Sequence, residues 1–328
     1  MRHHIFNIFA KTSIAVIVGV VPLISSAAVI HQSDKDYSVP IKLDLNAHSD
    51  MIPSGKGWGI KSPEAVPPAS LAIPQNGINY HNGTVMGTTA STIPTVYFIW
   101  YGNWAGDSTV DILSNLARGI GASPYYKINS SYMDASSRTV MPKVNFGCGA
   151  TDNYSMGTSL TDSSIYYIIK NAVAANKVPL DPNGIYFVLT SPDVKETSGF
   201  CTSFCGWHSA ASLNSVRLRY SFIGNAKTQC PNACLPQSST SPNNNPGGDG
   251  MASVFAHELE ETVTDPDFSA WYDTNGNENA DKCAWTFGAT QTDVKGARYN
   301  MTINKMNYMI QQNWVNLNGG YCALTLPA

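Results

Sequence analysis

The hydrophobic pattern along the chain alternates between short unbroken apolar runs and longer stretches with helical spacing. Thr95-Val96-Tyr97-Phe98-Ile99-Trp100-Tyr101 is β-branched and aromatic, ends at Gly102, and predicts a strand buried on both faces. From Ser108 to Ile120 the apolar positions Val110, Leu113, Leu116 and Ile120 recur at helical intervals, and Gly121 ends the run. Ile165 to Ala175 predicts a second amphipathic helix. The turn Asp181-Pro182-Asn183-Gly184 and a strand over Ile185–Thr190 follow. Arg217 to Gly224 reads as another strand, and Met251 to Val263 as another helix. Between them Gln237 to Gly250 is rich in Asn and Pro and predicts a loop with no packed element. Strand, helix, helix, strand is an α/β order.

The pattern also divides the chain. Arg2 and Lys11 precede an apolar run from Ile14 to Ile24 and then Ser25-Ser26-Ala27-Ala28, the order of a secretory signal peptide over residues 1–28. The run is shorter than the roughly 20 residues that span a bilayer, so no membrane association is expected after cleavage. Residues 29–82 are rich in Pro and Ser without a sustained period and predict an extended, pro-like arm. Residues 83–328 then make one α/β domain, within the size range of a single core.

The helix over Met251–Val263 carries the candidate chemistry. In Ala256-His257-Glu258-Leu259-Glu260-Glu261, His257 and Glu261 stand four residues apart on one face, with Glu258 beside them. A helical zinc-hydrolase motif has two histidines at this spacing, and the Glu after the first polarises water. Here Glu261 replaces the second histidine, and carboxylate oxygen is an acceptable zinc ligand. One helical turn supplies only two ligands. Asp265 and Asp267, on either side of the helix-breaking Pro266, are the nearest candidates for a third; His208, Asp273 and Asp281 are remote ones. Without a cation the same acids predict an ordinary amphipathic helix with a solvated acidic face. Only 13% of residues are charged, so three neighbouring carboxylates favour the metal. This reading expects an exported zinc-dependent hydrolase, a metallopeptidase acting on protein or peptide, with Glu258 as general base. Its fold would be a single zincin-like domain: a mixed sheet, flanking helices and a disulfide-rich insert.

Composition bounds the alternatives. A net charge of −3 without a basic run excludes a nucleic-acid footprint. All seven cysteines, Cys148, Cys201, Cys205, Cys230, Cys234, Cys283 and Cys322, follow the signal, and an exported chain forms disulfides. Cys201/Cys205 and Cys230/Cys234 could instead make a four-thiolate zinc site. Cys148 is the candidate for the odd thiol, and Cys283 with Cys322 for a C-terminal staple. Asp273 to Asp281 alternates oxygen-bearing side chains and is a candidate calcium loop, although it departs from the EF-hand pattern. Seven Trp and sixteen Tyr could line a face for cell-wall polysaccharide, or simply fill the core. There is no Gly-x-Ser-x-Gly elbow, phosphate loop or dinucleotide fingerprint.

Five blocks in order carry a family resemblance: Phe98-Ile99-Trp100-Tyr101-Gly102, Val188 to Val194, Gly199-Phe200-Cys201 through Cys205-Gly206-Trp207-His208, Gly224-Asn225 to Cys234, and Asp249-Gly250-Met251. Together they resemble the phosphate-induced protein 1 family, whose plant members are the EXORDIUM-like proteins. The resemblance implies a secreted or cell-wall protein and brings no settled activity. It therefore sets a second expectation beside the hydrolase: a non-enzymatic extracellular protein binding cell-wall polysaccharide or a protein partner. The helix with its following Thr264-Asp265-Pro266 and Ala270-Trp271-Tyr272-Asp273 also resembles segments of exported bacterial zincin-like proteins.

Overall fold

The run Thr95–Tyr101 becomes strand β1, an interior strand of a five-stranded sheet. The computed structural model describes residues 51–61 and 77–326, within a unit that spans residues 49–328; the expected signal peptide lies outside the described residues. The other strands are β2 (Asn145–Asp152), β3 (Gly184–Thr190), β4 (Gly206–Leu213) and β5 (Val216–Gly224). Their spatial order is β2-β1-β3-β5-β4. The β2/β1, β1/β3 and β3/β5 pairs are parallel, and β4 runs antiparallel to β5 at the edge. β1 and β3 are central in a parallel sheet and therefore read as continuous apolar runs.

Three helices connect and cover these strands. Helix α1 (Thr109–Gly119) joins β1 to β2, and α2 (Asp162–Ala174) joins β2 to β3. Helix α3 (Pro246–Thr264) follows the segment after β5 and packs on α1, β4 and β5. Phe255 of α3 meets Phe98 of β1 at 5.3 Å and Phe187 of β3 at 4.8 Å, both edge to face. A mixed α/β architecture is thus established.

Helix α3 begins five residues earlier than its apolar pattern predicts. Asn245 Oδ1 accepts from Gly248 N at 3.1 Å, and Pro246 takes the first helical position, which needs no N–H donor. A Cβ on Gly248 would stand 2.7 Å from Thr109 Oγ1, so the glycine lets α3 approach α1 where a larger residue could not. The glycines and polar residues that predict a loop are here a close helix contact. β2 was not apparent in the sequence either, because Gly147 and Gly149 dilute its apolar signal and half its residues are exposed.

The cysteines pair as Cys201–Cys230, Cys205–Cys234 and Cys283–Cys322, with Cys148 free. Two bridges thus tie the start of β4 to the segment before α3, which excludes the four-thiolate zinc site. The third closes a separation of 39 residues across small C-terminal hairpins. Replacing Cys283 and Cys322 with Ser should cost about 2–4 kcal/mol, measured by urea unfolding under non-reducing conditions.

Candidate metal centre

Helix α3 has no solvated face. Every residue from Gly247 to Thr264 is buried, including Glu258, Glu260 and Glu261. An ordinary amphipathic helix with an exposed acidic side is therefore excluded, and each of these carboxylates needs a partner.

His257 and Glu261 face each other one turn apart, with His257 Nε2 2.9 Å from Glu261 Oε1. Asp281 opens a 3-10 turn (Asp281–Cys283) that brings its Oδ1 to 3.4 Å from His257 Nε2, while its backbone N donates to Glu261 Oε1 at 3.1 Å. From the other side β4 presents His208, whose Nε2 lies 3.0 Å from Glu278 Oε2 and 3.6 Å from Glu261 Oε2. Two ligand groups result, His208–Glu258–Glu261 and His257–Glu261–Asp281, with Glu261 common to both. Within each group the donor atoms lie within 4.8 Å of one another.

The unpaired atoms show what the cluster lacks. His208 Nδ1, His257 Nε2, both oxygens of Glu258, Glu261 Oε2, Glu278 Oε1 and Asp281 Oδ1 are buried without a hydrogen-bond partner. His257 Nε2 and Glu261 Oε1 are close but not aligned as donor and acceptor. Two ligands of a tetrahedral zinc, each at ~2.0–2.1 Å, stand roughly 3.3 Å apart. The distances of 2.9 and 3.4 Å around His257 are of that size.

Electrostatics point the same way. Burial drives the Glu258 carboxyl well above its ordinary range, and Glu261 is pushed up to about 8 by burial and then by Asp281. Glu278 rises for the first reason and then because Glu261 is near. Burial lowers His208 to about 3. Burial also disfavours charge on His257, but Glu261, Asp281 and Glu258 outweigh it and hold that ring well above its usual value. Such a cluster must take up protons or a cation, because isolated charges at this depth are too costly.

Gln311 sets the His257 ring. Its Nε2 donates to Ala280 O at 2.8 Å and faces His257 Nδ1 at 3.0 Å, while its Oε1 accepts from Trp285 N at 3.1 Å. With Gln311 so placed, Nδ1 of the neutral ring accepts and its proton sits on Nε2; the doubly protonated ring would set its Nδ1–H against the Gln311 amide. Ligation through Nε2 requires the Gln311 amide to turn and present Oε1 instead.

Of the residues nominated from sequence, His257, Glu258 and Glu261 come together, and Asp265 and Asp267 stand outside both groups. Asp265 Oδ1 accepts from Ser269 N and Ala270 N, both at 2.6 Å, and so turns the chain after α3. Asp267 is bound by Arg217 at 2.8 Å and Arg219 at 3.1 Å, which hold its carboxyl below the usual range despite burial. The residues that complete the two groups are instead the remote candidates His208 and Asp281. In the Asp273–Asp281 loop, Asp273 Oδ1 accepts from Asn275 N and Asn277 N, and its Oδ2 pairs with Lys282. That loop closes on itself and lends Glu278 and Asp281 to the centre. Asp267→Asn should leave metal content unchanged, whereas Asp281→Asn should reduce it, as read by elemental analysis of the two proteins.

The centre and the disulfide frame define the class: a disulfide-stapled mixed α/β protein with a buried cluster of histidine and carboxylate donors. Residues 78–323 match the phosphate-induced protein 1 conserved region, and the chain belongs to that family. It is 32% identical over 283 residues to Protein EXORDIUM-like 3 of Arabidopsis thaliana, covering 75% of this chain and 82% of that protein. It is 29% identical over 297 residues to Protein EXORDIUM-like 5 of the same plant, covering 76% and 81%. Protein PHOSPHATE-INDUCED 1 of Nicotiana tabacum is 26% identical over 231 residues, covering 62% and 70%. No solved structure matches the chain.

Proposed function

We propose that this chain is an exported protein of the phosphate-induced protein 1 family that holds a divalent cation in its buried centre and acts by binding a protein partner. The observation that carries the cation is the set of unpaired buried donors around Glu261. Mixed nitrogen and carboxylate donors suit zinc better than calcium, which prefers oxygen alone. His257, Glu261 and Asp281 would hold the ion. Three disulfides support export, and no helix among the described residues is long and apolar enough to cross a membrane. A binding role is favoured because the centre is sealed: His208, His257, Glu258 and Glu261 are at most 1% exposed, leaving no path for a substrate in this form.

One observation favours a second reading, a zincin-like metallopeptidase. Glu258 adjoins the ligands with both oxygens unengaged, where a general base would sit. Bound zinc would supply the acidity that brings a water's pKa to about 7. Elemental analysis of the purified mature protein tests the cation: about one zinc per chain is expected, as in a mononuclear site. Glu261→Ala should abolish it, and a metal-free wild type would sink the proposal. Peptidase activity that disappears in Glu258→Gln while zinc stays bound would replace the binding role with the enzymatic one.

A further inference from the structure

Part of the seal over the centre comes from outside the family-matched region. Residues 55–59 precede the match, which begins at 78, yet they lie against the start of β4 and the two residues before it. His208 N donates to Gly55 O at 3.0 Å and Cys205 N donates to Trp58 O at 2.9 Å, and Gly59 bridges Phe204 in antiparallel fashion. The segment thus covers this edge through two backbone hydrogen bonds and one isolated bridge, short of a continuous ladder.

It also lies directly on the centre. A Cβ on Gly57 would stand 1.8 Å from Asp281 Oδ1, so only glycine fits there. The fully buried Trp58 packs edge-on against His257 at 4.7 Å and against Trp285 at 5.2 Å. Lys56 reaches Asp162 at 2.7 Å, with its ammonium 4.8 Å from the Phe204 ring. Backbone pairing, an aromatic anchor in a pocket and a flanking charge pair are the features by which sheet edges recognise extended peptides.

We propose that the β4 edge and the Trp58 pocket form a peptide-binding groove, occupied in this state by the chain's own residues 55–59 as an internal ligand. The external ligand is an extended polypeptide segment that places a basic residue, a glycine and a large aromatic residue where Lys56, Gly57 and Trp58 lie. This specifies the partner site of the binding role proposed above and rests on that role, but not on the cation. Displacing the internal segment would open the groove and expose His257 and Asp281 together.

The test uses the full exported chain and a labelled synthetic peptide of residues 53–61, followed by fluorescence anisotropy. Trp58→Ala and Gly57→Leu, which removes the anchor and clashes with Asp281 respectively, should each bind the peptide at least about tenfold more tightly than wild type, a difference of ~1.4 kcal/mol. A peptide with Ala in place of its tryptophan should not bind. In wild type, hydrogen exchange should show the Cys205 and His208 amides opening more readily than those of β3, even should both variants fail to fold. Equal protection in wild type, or no peptide binding by folded variants, would make residues 55–59 a permanent strand and overturn the proposal. Elemental analysis of the same untreated samples separates the two ideas: peptide binding by protein that carries no metal as isolated would refute only the cation.

Discussion

Chelation of the proposed cation should lower the melting temperature of the protein by about 10 °C at pH 8 and by much less at pH 5. An ion present at about a thousand times its dissociation constant contributes ~4 kcal/mol, and each kcal/mol moves the transition of a domain of this size by ~2–4 °C. The pH dependence follows from the carboxyls. Without metal Glu261 has a folded pKa pushed up to about 8 from an ordinary 4.5, and Glu258 and Glu278 move in the same direction. A raised folded pKa adds stability that is complete below the unfolded value and is lost as pH rises through the folded one. The metal-free protein should therefore weaken between about pH 4.5 and 8. His208, lowered to about 3 from 6.5, opposes this only below pH 6.5, where its buried neutral ring costs stability. The loaded protein should show the reverse trend, because its ligands must lose protons to bind. Melting curves with and without chelator at both pH values check this; coincident curves at pH 8 would exclude a stabilising cation.

The second large contrast lies between adjacent glutamates. Glu261→Gln removes the charge shared by both ligand groups and should bring zinc content to background, with a fall in melting temperature comparable to chelation. Glu260→Gln should do the opposite, keeping zinc and raising the melting temperature at pH 8. Glu260 points away from the centre, its Oε2 accepting from Asn313 Nδ2 at 2.9 Å while Oε1 has no partner, and burial drives its pKa well up. An amide keeps the Asn313 contact and removes the cost of a buried charge above neutral pH. Parallel elemental analysis and calorimetry of the two variants read both effects. Zinc loss in Glu260→Gln, or its retention in Glu261→Gln, would show that the donor set is assigned to the wrong face of α3.

The outcome for α3 shows where one-dimensional pattern stops being informative. Helical spacing places His257 next to Glu261 because side chains four residues apart share a face, whatever the rest of the chain does. It cannot say whether that face meets water. The burial of α3 depends on Gly248 allowing contact with α1, and on β4 and β5 covering the motif. The further ligands fail for a related reason. Asp265 and Asp267 are close in sequence, but one turns the chain and the other meets two arginines brought near by β5. His208 and Asp281 lie 49 residues before and 24 residues after His257 in the chain and reach its partner Glu261 only through the fold.

What the sequence determined by itself is therefore local or compositional: the continuous apolar strands β1 and β3, the amphipathic helices α1 and α2, the His257–Glu261 pair, and the family blocks. Each is encoded within about two turns of helix or one strand, where side-chain periodicity fixes geometry. The tertiary structure alone decided the pairing of Cys201 with Cys230 and Cys205 with Cys234, the glycine-bearing strand β2, the joining of His208 and Asp281 to Glu261, and the placement of Gly57 and Trp58 over the centre. These depend on contacts between segments far apart in the chain. Their energetics arise from burial and unpaired donors that only the assembled core creates.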